Sequence, residues 1–234
     1  MELLNELCDE TRFQKLIGPI LTELRHGLGN GLFTAYTDTD WEHAHRILVP
    51  AFGPMQLHGM FGDMKDIAAQ MVMKWARMGP THQIAVATDF TKLTLDTLAL
   101  CTMSYRFNSF YSGNEMHPFV DATGKFLKIG GNRSKRPGFL AFLFRSEHAT
   151  YEQSIEYMRR LSADLVKQRR QATEEDGKDL LNTMLHGKDP KTGEGLNEST
   201  ITDNMITFLI AGHETTAGLL VSLCIRRVDR EAEG

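Results

Sequence analysis

Apolar residues recur every three or four positions through most of this chain, the spacing of amphipathic helices, while strand-like alternation is nearly absent. The most continuous pattern predicts a helix from a cap at Asn197 through Leu220, with Glu198 in its first turn where the helix macrodipole favours negative charge. Ile201, Met205, Phe208, Leu209 and Gly212 follow at helical spacing and are expected to line one buried face. Tyr151, Ile155, Met158, Leu161 and Leu165 mark a second long helix that closes on Lys167, Arg169 and Arg170. Residues 54–78 carry a third, with Phe61, Met64, Ala68, Met71, Trp75 and Met78 as its apolar stripe and Gly79-Pro80 as its stop. Shorter helices are predicted from Asp40 to Val49, from an Asp89 cap to about Met103, from His117-Pro118 onward, and from Asp179 to His186.

The segments between them read as loops: GLGNG at 27–31, an aromatic connection at 105–111, an acidic linker at 173–178 and a turn at 187–193. Residues 130–147 read as a basic, glycine-interrupted loop ending in the apolar patch 139–144. Alternation at Gln83-Ile84-Ala85-Val86 predicts one short strand. Past Cys224 no apolar face continues, which predicts a frayed, atypical tail over residues 223–234. The expected fold class is mainly α with minor β.

Composition narrows the partners. A formal charge of −4 gives no electrostatic case for nucleic acid or an anionic membrane surface. Twelve methionines and thirteen phenylalanines suit an adaptable apolar interior. Cys8, Cys101 and Cys224 have no paired spacing, which points to a reducing compartment. No basic, apolar leader opens the chain, and no stretch reads as approaching the ~20 apolar residues that span a bilayer. A cytoplasmic protein without a membrane span is the expectation. Asn132-Arg133-Ser134 and Asn197-Glu198-Ser199 match glycosylation sequons and are read as chance matches in that compartment.

The candidate chemistry sits where the apolar turn Phe208-Leu209-Ile210 runs into Ala211-Gly212-His213-Glu214-Thr215-Thr216. Small residues there admit something large against the backbone, and threonine hydroxyls that bond preceding carbonyls loosen a helix, so a groove or bulge is expected. His213-Glu214 does not open a zinc protease motif, because the second histidine of H-E-x-x-H would fall at Ala217. No G-x-S-x-G is present, and GLGNG is no dinucleotide fingerprint, since its third glycine would fall at Leu32. Trp41 and His45, four apart, share one face of their helix.

AGHETT resembles the distal oxygen-activation helix of the cytochrome P-450 haem-thiolate monooxygenases, whose pattern is [Ala/Gly]-Gly-x-[Asp/Glu]-Thr-[Thr/Ser]. LCDETRF, NGLFTAYTDT, WEHAHRILVPAF, KLTLDTLALC, YRFNSFY, DLLNTMLHGKDPKTGE and ITFLIAGHETTAGLL are similar, in that order, to the self-sufficient fatty-acid hydroxylases, in which a P-450 domain is fused to a diflavin reductase. The resemblance spans residues 3–222, is weakest between about 125 and 150, and makes residues 1–222 part of a haem domain. It implies haem b as cofactor, with FMN, FAD and NADPH on the fused reductase, and O2 and a fatty acid or similar lipid-like molecule as substrates. It further implies Thr215 and Glu214 as the proton-delivering pair, with Trp41 and His45 at a haem propionate. Leu32, Phe52, Ala211 and Thr216 join the cofactor contacts, and Phe33 with Leu21, Leu24, Leu28, Leu127 and Phe208 lines the acyl site.

Two elements of that family do not occur in these residues: the Phe-x-x-Gly-x-x-x-Cys-x-Gly loop that supplies the thiolate, and the Glu-x-x-Arg helix that braces it. Cys8 and Cys101 occupy non-ligand positions, and Cys224 lies just past the distal helix, so no metal ligand is assigned. The N-terminal sheet and the reductase of the family are also not found. A truncated fragment that is inactive by itself is therefore expected, its parent gene encoding the monooxygenase. The alternative from another class is a non-catalytic helical remnant that binds no haem.

Overall fold

The computed structural model describes residues 2–9, 12–13, 16–35, 38–112, 115–137, 143–171 and 179–233, with the side chains of Glu2, Asp38 and residues 227–233 aside. Ten α-helices appear among them: α1 (Glu2–Leu7), α2 (Pro19–Leu28), α3 (Asp38–Leu48), α4 (Pro54–Gly59), α5 (Phe61–Met78), α6 (Val86–Met103), α7 (Pro118–Arg133), α8 (Arg145–Gln171), α9 (Leu180–His186) and α10 (Glu198–Glu233). A 3-10 turn, Val49–Phe52, follows α3. The fold is mainly α. The strand expected at 83–86 is absent because the Val86 amide bonds locally to the Ile84 carbonyl and opens α6. Among the described residues, β pairing is confined to one isolated bridge, Lys188 to Gly195.

Local chemistry explains most helix ends. Pro19 and Pro118 sit in first turns, where a missing N–H costs nothing. The His117 ring accepts from the Phe119 amide, the Asp179 carboxylate from the Asn182 amide, and the Asn197 side chain from the Thr200 amide. Asp89 is not the cap that the sequence suggests. It lies inside the first turn of α6, where its carboxylate accepts from Lys74 Nζ at 2.5 Å and Trp75 Nε1 at 2.6 Å, tying α5 to α6. The single helix expected over 54–78 is divided at Met60, and within α5 only Ile67 and Met71 are fully buried, while Phe61 is largely exposed. The glycines at 130 and 131 do not interrupt a loop, because α7 continues through them to Arg133. The patch at 139–142 and the acidic linker lie outside the described residues.

α10 organises the core. Its main partner is α6; α7 packs on α8, and α2 lies on α7. In its first half α10 is buried on nearly every side, with Ile201, Met205, Ile206, Leu209 and Ile210 joined by the polar Asp203, Asn204 and Thr207. This differs from the one-sided stripe read from the sequence, in which Phe208 and Gly212 turn out the least buried members. Among the described side chains beyond Ala211, only His213 and Ala217 remain buried, so a broad face opens. The backbone stays helical to Glu233 instead of fraying after Cys224. By length and composition the stretch Glu198–Arg226 is apolar enough to cross a membrane, which corrects the expectation that no stretch is.

The corner of α2 and α8 is closed by Tyr151, a fully buried residue whose hydroxyl donates to the Glu23 carbonyl at 2.6 Å. Its ring stacks on Phe126, and burial raises the phenol's pKa. Tyr151→Phe is expected to cost about 1 kcal/mol, the net worth of one hydrogen bond, by chemical denaturation.

Candidate functional site on the open face of the longest helix

Helical geometry puts Phe208, Ala211, Thr215 and Gly218 on one side of α10. Ala211, Thr215 and Gly218 are exposed there, and a Cβ on Gly218 would meet nothing within 4 Å. The Thr215 hydroxyl donates to the Ala211 carbonyl at 2.6 Å, which leaves its lone pairs free to accept on the open side. The expected bulge is not formed: α10 is continuous α-helix through this region. Glu214 is exposed and carries no hydrogen bond or ion pair among the described residues. Glu214 and Thr215 line one cleft of about 570 Å³, walled by Thr91 of α6 and Val120 of α7. Thr216 lies roughly a quarter-turn round from Thr215, exposed on the flank that carries Leu219 and Leu223.

His213 faces the opposite way. It is fully buried, with Nδ1 on the Leu209 carbonyl at 2.5 Å and Phe119 beside its ring. Burial lowers its pKa, so the ring is neutral at pH 7. Its backbone carbonyl accepts from Thr94 Oγ1 at 2.9 Å, which fastens this turn of α10 to α6.

On the flank toward α3, Phe52 is about two-fifths exposed and its ring centroid lies 5.5 Å from that of Phe208. Trp41 and His45 are half-buried on α3, their rings stacked with centroids 4.3 Å apart, in keeping with their spacing on one helix face. Phe33 projects from the loop after α2 with half of its surface exposed, and Leu32 beside it is half-buried against the core. The four acyl-site leucines are not assembled into an open wall. Leu24 and Leu28 are core residues, while Leu21 and Leu127 are half-buried against that core, where α2 meets α7. Apolar side chains at helical spacing look alike in sequence whether they border a channel or a neighbouring helix.

Sequence reasoning missed the groups that hold the loop bearing Phe33. The Asn30 amide donates to Asp203 Oδ2 at 2.8 Å, and the Leu32 amide to Asn204 Oδ1 at 2.9 Å. Gly29 adopts φ +54°, and a Cβ there would sit 2.1 Å from the Asp203 carboxylate. The available signal was Asp203-Asn204 itself, two adjacent polar residues in an apolar helical run.

A flat apolar prosthetic group fits the open face. Small residues line it at Ala211, Thr215 and Gly218, and aromatic rings border it at Phe208 and the neighbouring Phe52. Cys224 falls two turns past Ala217 on the stripe of His213, and Cys101 is buried, its thiol pushed up to about 11 by desolvation and the nearby Asp63. No cluster of three or more His, Cys, Asp or Glu suited to a metal ion occurs among the described residues.

The cytochrome P450 family model matches residues 2–222, and the chain belongs to the cytochrome P450 family. Within it, the chain is 56% identical over 220 residues to a bifunctional cytochrome P450/NADPH–P450 reductase of Aspergillus oryzae. It is 53% identical over 221 residues to a self-sufficient cytochrome P450 monooxygenase of Exserohilum turcicum, and 51% over 220 to a bifunctional cytochrome P450/NADPH–P450 reductase of Fusarium oxysporum. These alignments cover 94%, 94% and 93% of this chain and 20% of each relative. The chain spans about a fifth of the length of the curated relatives it matches.

Proposed function

We propose that these residues form the oxygen-side half of the active site of a self-sufficient, cytoplasmic P450 monooxygenase that hydroxylates fatty acids or similar lipid-like chains. Electrons come from NADPH through the FAD and FMN of a fused reductase. The observation that carries this reading is the pairing of Glu214 and Thr215 on one cleft, beside a small-residue face bordered by aromatic rings. The relatives in Aspergillus oryzae and Fusarium oxysporum, each named as a P450 joined to an NADPH–P450 reductase, support the electron source. Residues 1–222 belong to the haem domain and residues 223–234 to an atypical end.

Bound on that face, haem b supplies oxygen activation and the oxidation of an unactivated C–H bond. Ala211 keeps the centre of the face low, and Thr216 and Leu32 border it. Trp41 and His45 hold a carboxylate edge of the group, the imidazole by donating a hydrogen bond. Phe52 packs beside it. Thr215 Oγ1 turns away from the Ala211 carbonyl to present its proton at the open face, and Glu214 restores that proton through solvent in the shared cleft. Phe33 overhangs the face and limits which carbon of an acyl chain approaches, with Phe208 as its apolar border, while Leu24 and Leu28, and Leu21 and Leu127 packed on them, form the core behind it. Cys101 is buried and Cys224 lies on the stripe of His213, and we infer that alone the 234 residues do not turn over.

The test uses the full-length protein that contains these residues. NADPH-dependent formation of hydroxy fatty acids, with the hydroxyl oxygen drawn from labelled O2, is expected. Thr215→Ala should lower product per NADPH by roughly tenfold or more and divert the remainder to hydrogen peroxide, since a positioned proton donor contributes 10²–10⁴-fold. Unchanged coupling would remove Thr215 from the mechanism. A thiolate-type carbon monoxide spectrum from the isolated 234 residues would overturn their inactivity. Absence of any acyl hydroxylation by the full-length protein would favour the non-catalytic alternative.

A further inference from the structure

Phe33 has half of its surface exposed, so packing does not fix its ring. Its backbone is fixed from elsewhere. Asp203 and Asn204, both buried, accept from the amides of Asn30 and Leu32, which straddle Gly31 and end one residue before Phe33. Each acceptor is itself held. Asn204 Nδ2 donates to the Thr200 carbonyl at 2.9 Å, which turns Oδ1 toward the loop, and Arg159 Nη2 lies 3.1 Å from Asp203 Oδ1. Thr34, fully buried, closes the far side by donating Oγ1 to the Gly29 carbonyl at 2.8 Å. Two polar side chains inside an apolar helix carry a desolvation cost that these contacts offset only in part, since burial still raises the Asp203 pKa, and apolar residues would pack the same helix without it.

We propose that Asp203 and Asn204 are positioning residues that latch the loop and thereby set where Phe33 stands over the face of α10, so that they select the carbon of a flexible acyl chain that is oxidised without touching it. This rests on the hydroxylase reading above. The latch lies at the start of α10, two turns before Ala211, so one rigid helix carries both the reacting face and the register of the residue that shields it.

In the full-length protein, Asn204→Leu keeps the volume and removes the acceptor, whereas Asp203→Asn keeps an acceptor oxygen for the Asn30 amide. Two readouts are taken: hydrogen exchange of the 30–34 amides, and the positions of hydroxylation along one saturated fatty acid. For Asn204→Leu, exchange in the loop is expected to rise about tenfold, the equivalent of one buried hydrogen bond, with α6 and α8 unchanged. Its product positions should move toward those of Phe33→Ala, and adding Asn204→Leu to Phe33→Ala should move them no further. Asp203→Asn, which keeps an acceptor for the Asn30 amide but gives up the Arg159 ion pair, should raise loop exchange less than Asn204→Leu does and leave the product positions at the parent's. Faster loop exchange with unaltered product positions would make the latch merely structural and overturn the proposal, as would unaltered exchange. A parent protein that hydroxylates no acyl chain marks failure of the hydroxylase reading, and the proposal falls with it. Exchange that rises across α6 and α8 marks misfolding of Asn204→Leu, and Asp203→Leu, which removes the other acceptor, then decides by the same two readouts.

Discussion

Arg169→Ala is expected to lower the stability of the haem domain by about 3 kcal/mol, because it leaves a buried carboxylate without its cation. The Arg169 guanidinium meets Asp179 through two N–H donors at 2.9 and 2.7 Å and gives a third bond to the Met103 carbonyl at 2.6 Å. Asp179 also accepts from Ser104 Oγ at 2.7 Å and caps α9 through the Asn182 amide at 2.8 Å. One carboxylate therefore joins the end of α6, the end of α8 and the start of α9. The Asp179 side chain is 7% exposed and that of Arg169 16%. Such a pair adds little over well-packed apolar residues, but removing one partner strands the other. Denaturation of the intact protein followed at the haem absorbance should show the loss, a fall of roughly 6–12 °C in the melting temperature for a domain of this size. Pairing Arg169→Leu with Asp179→Ser keeps a capping hydroxyl, removes the charge, and should recover most of it. A single-variant loss under about 1 kcal/mol would show that Asp179 relaxes into solvent.

Helix positions were legible because periodicity depends only on the chain itself. The start at Asn197, the Asp179 cap and the Trp41–His45 stack follow from local spacing and side-chain chemistry. What covers a face was not legible. Phe61 and Met64 belong to a regular stripe yet stand exposed, whereas Asp203, Asn204 and Asp89 are buried because partners distant in sequence reach them. The same limit applies to the site. Ala211, Glu214 and Thr215 announced themselves as small and polar residues breaking an apolar run. The loop latch uses backbone amides at Asn30 and Leu32, and a donor on the main chain leaves no mark on residue identity. Leu21, Leu24, Leu28 and Leu127 show the limit most plainly, since an apolar side chain at helical spacing carries no mark that separates core from channel.

Gly31→Ala is expected to destabilise the protein by about 2–3 kcal/mol and to move Phe33, because the loop touches α10 with no space for a methyl group. A Cβ at Gly31 would lie 2.2 Å from Thr207 Oγ1 and 2.8 Å from the Asp203 carbonyl oxygen. The threonine is a stiff β-branched residue whose hydroxyl already donates to that carbonyl at 2.8 Å, and the carbonyl belongs to a buried turn of helix. Neither yields cheaply, so the loop must lift. Lifting stretches the bonds from Asn30 and Leu32 to Asp203 and Asn204, and the residue displaced next is Phe33. Gly212 provides the contrast, since a Cβ there would meet the far end of the Leu98 side chain at 2.7 Å, which can rotate away. Gly212→Ala should therefore cost less than about 1 kcal/mol. Adding Thr207→Ala to Gly31→Ala should recover only part of the loss, because the Asp203 carbonyl remains in place. Denaturation followed at the haem absorbance measures the energies, and, on the hydroxylase activity proposed above, the positions of hydroxylation along one fatty acid report the displacement. If Gly31→Ala leaves stability within about 0.5 kcal/mol of the parent, the loop already stands off α10 in solution, and a latch made of two hydrogen bonds at that contact would not hold.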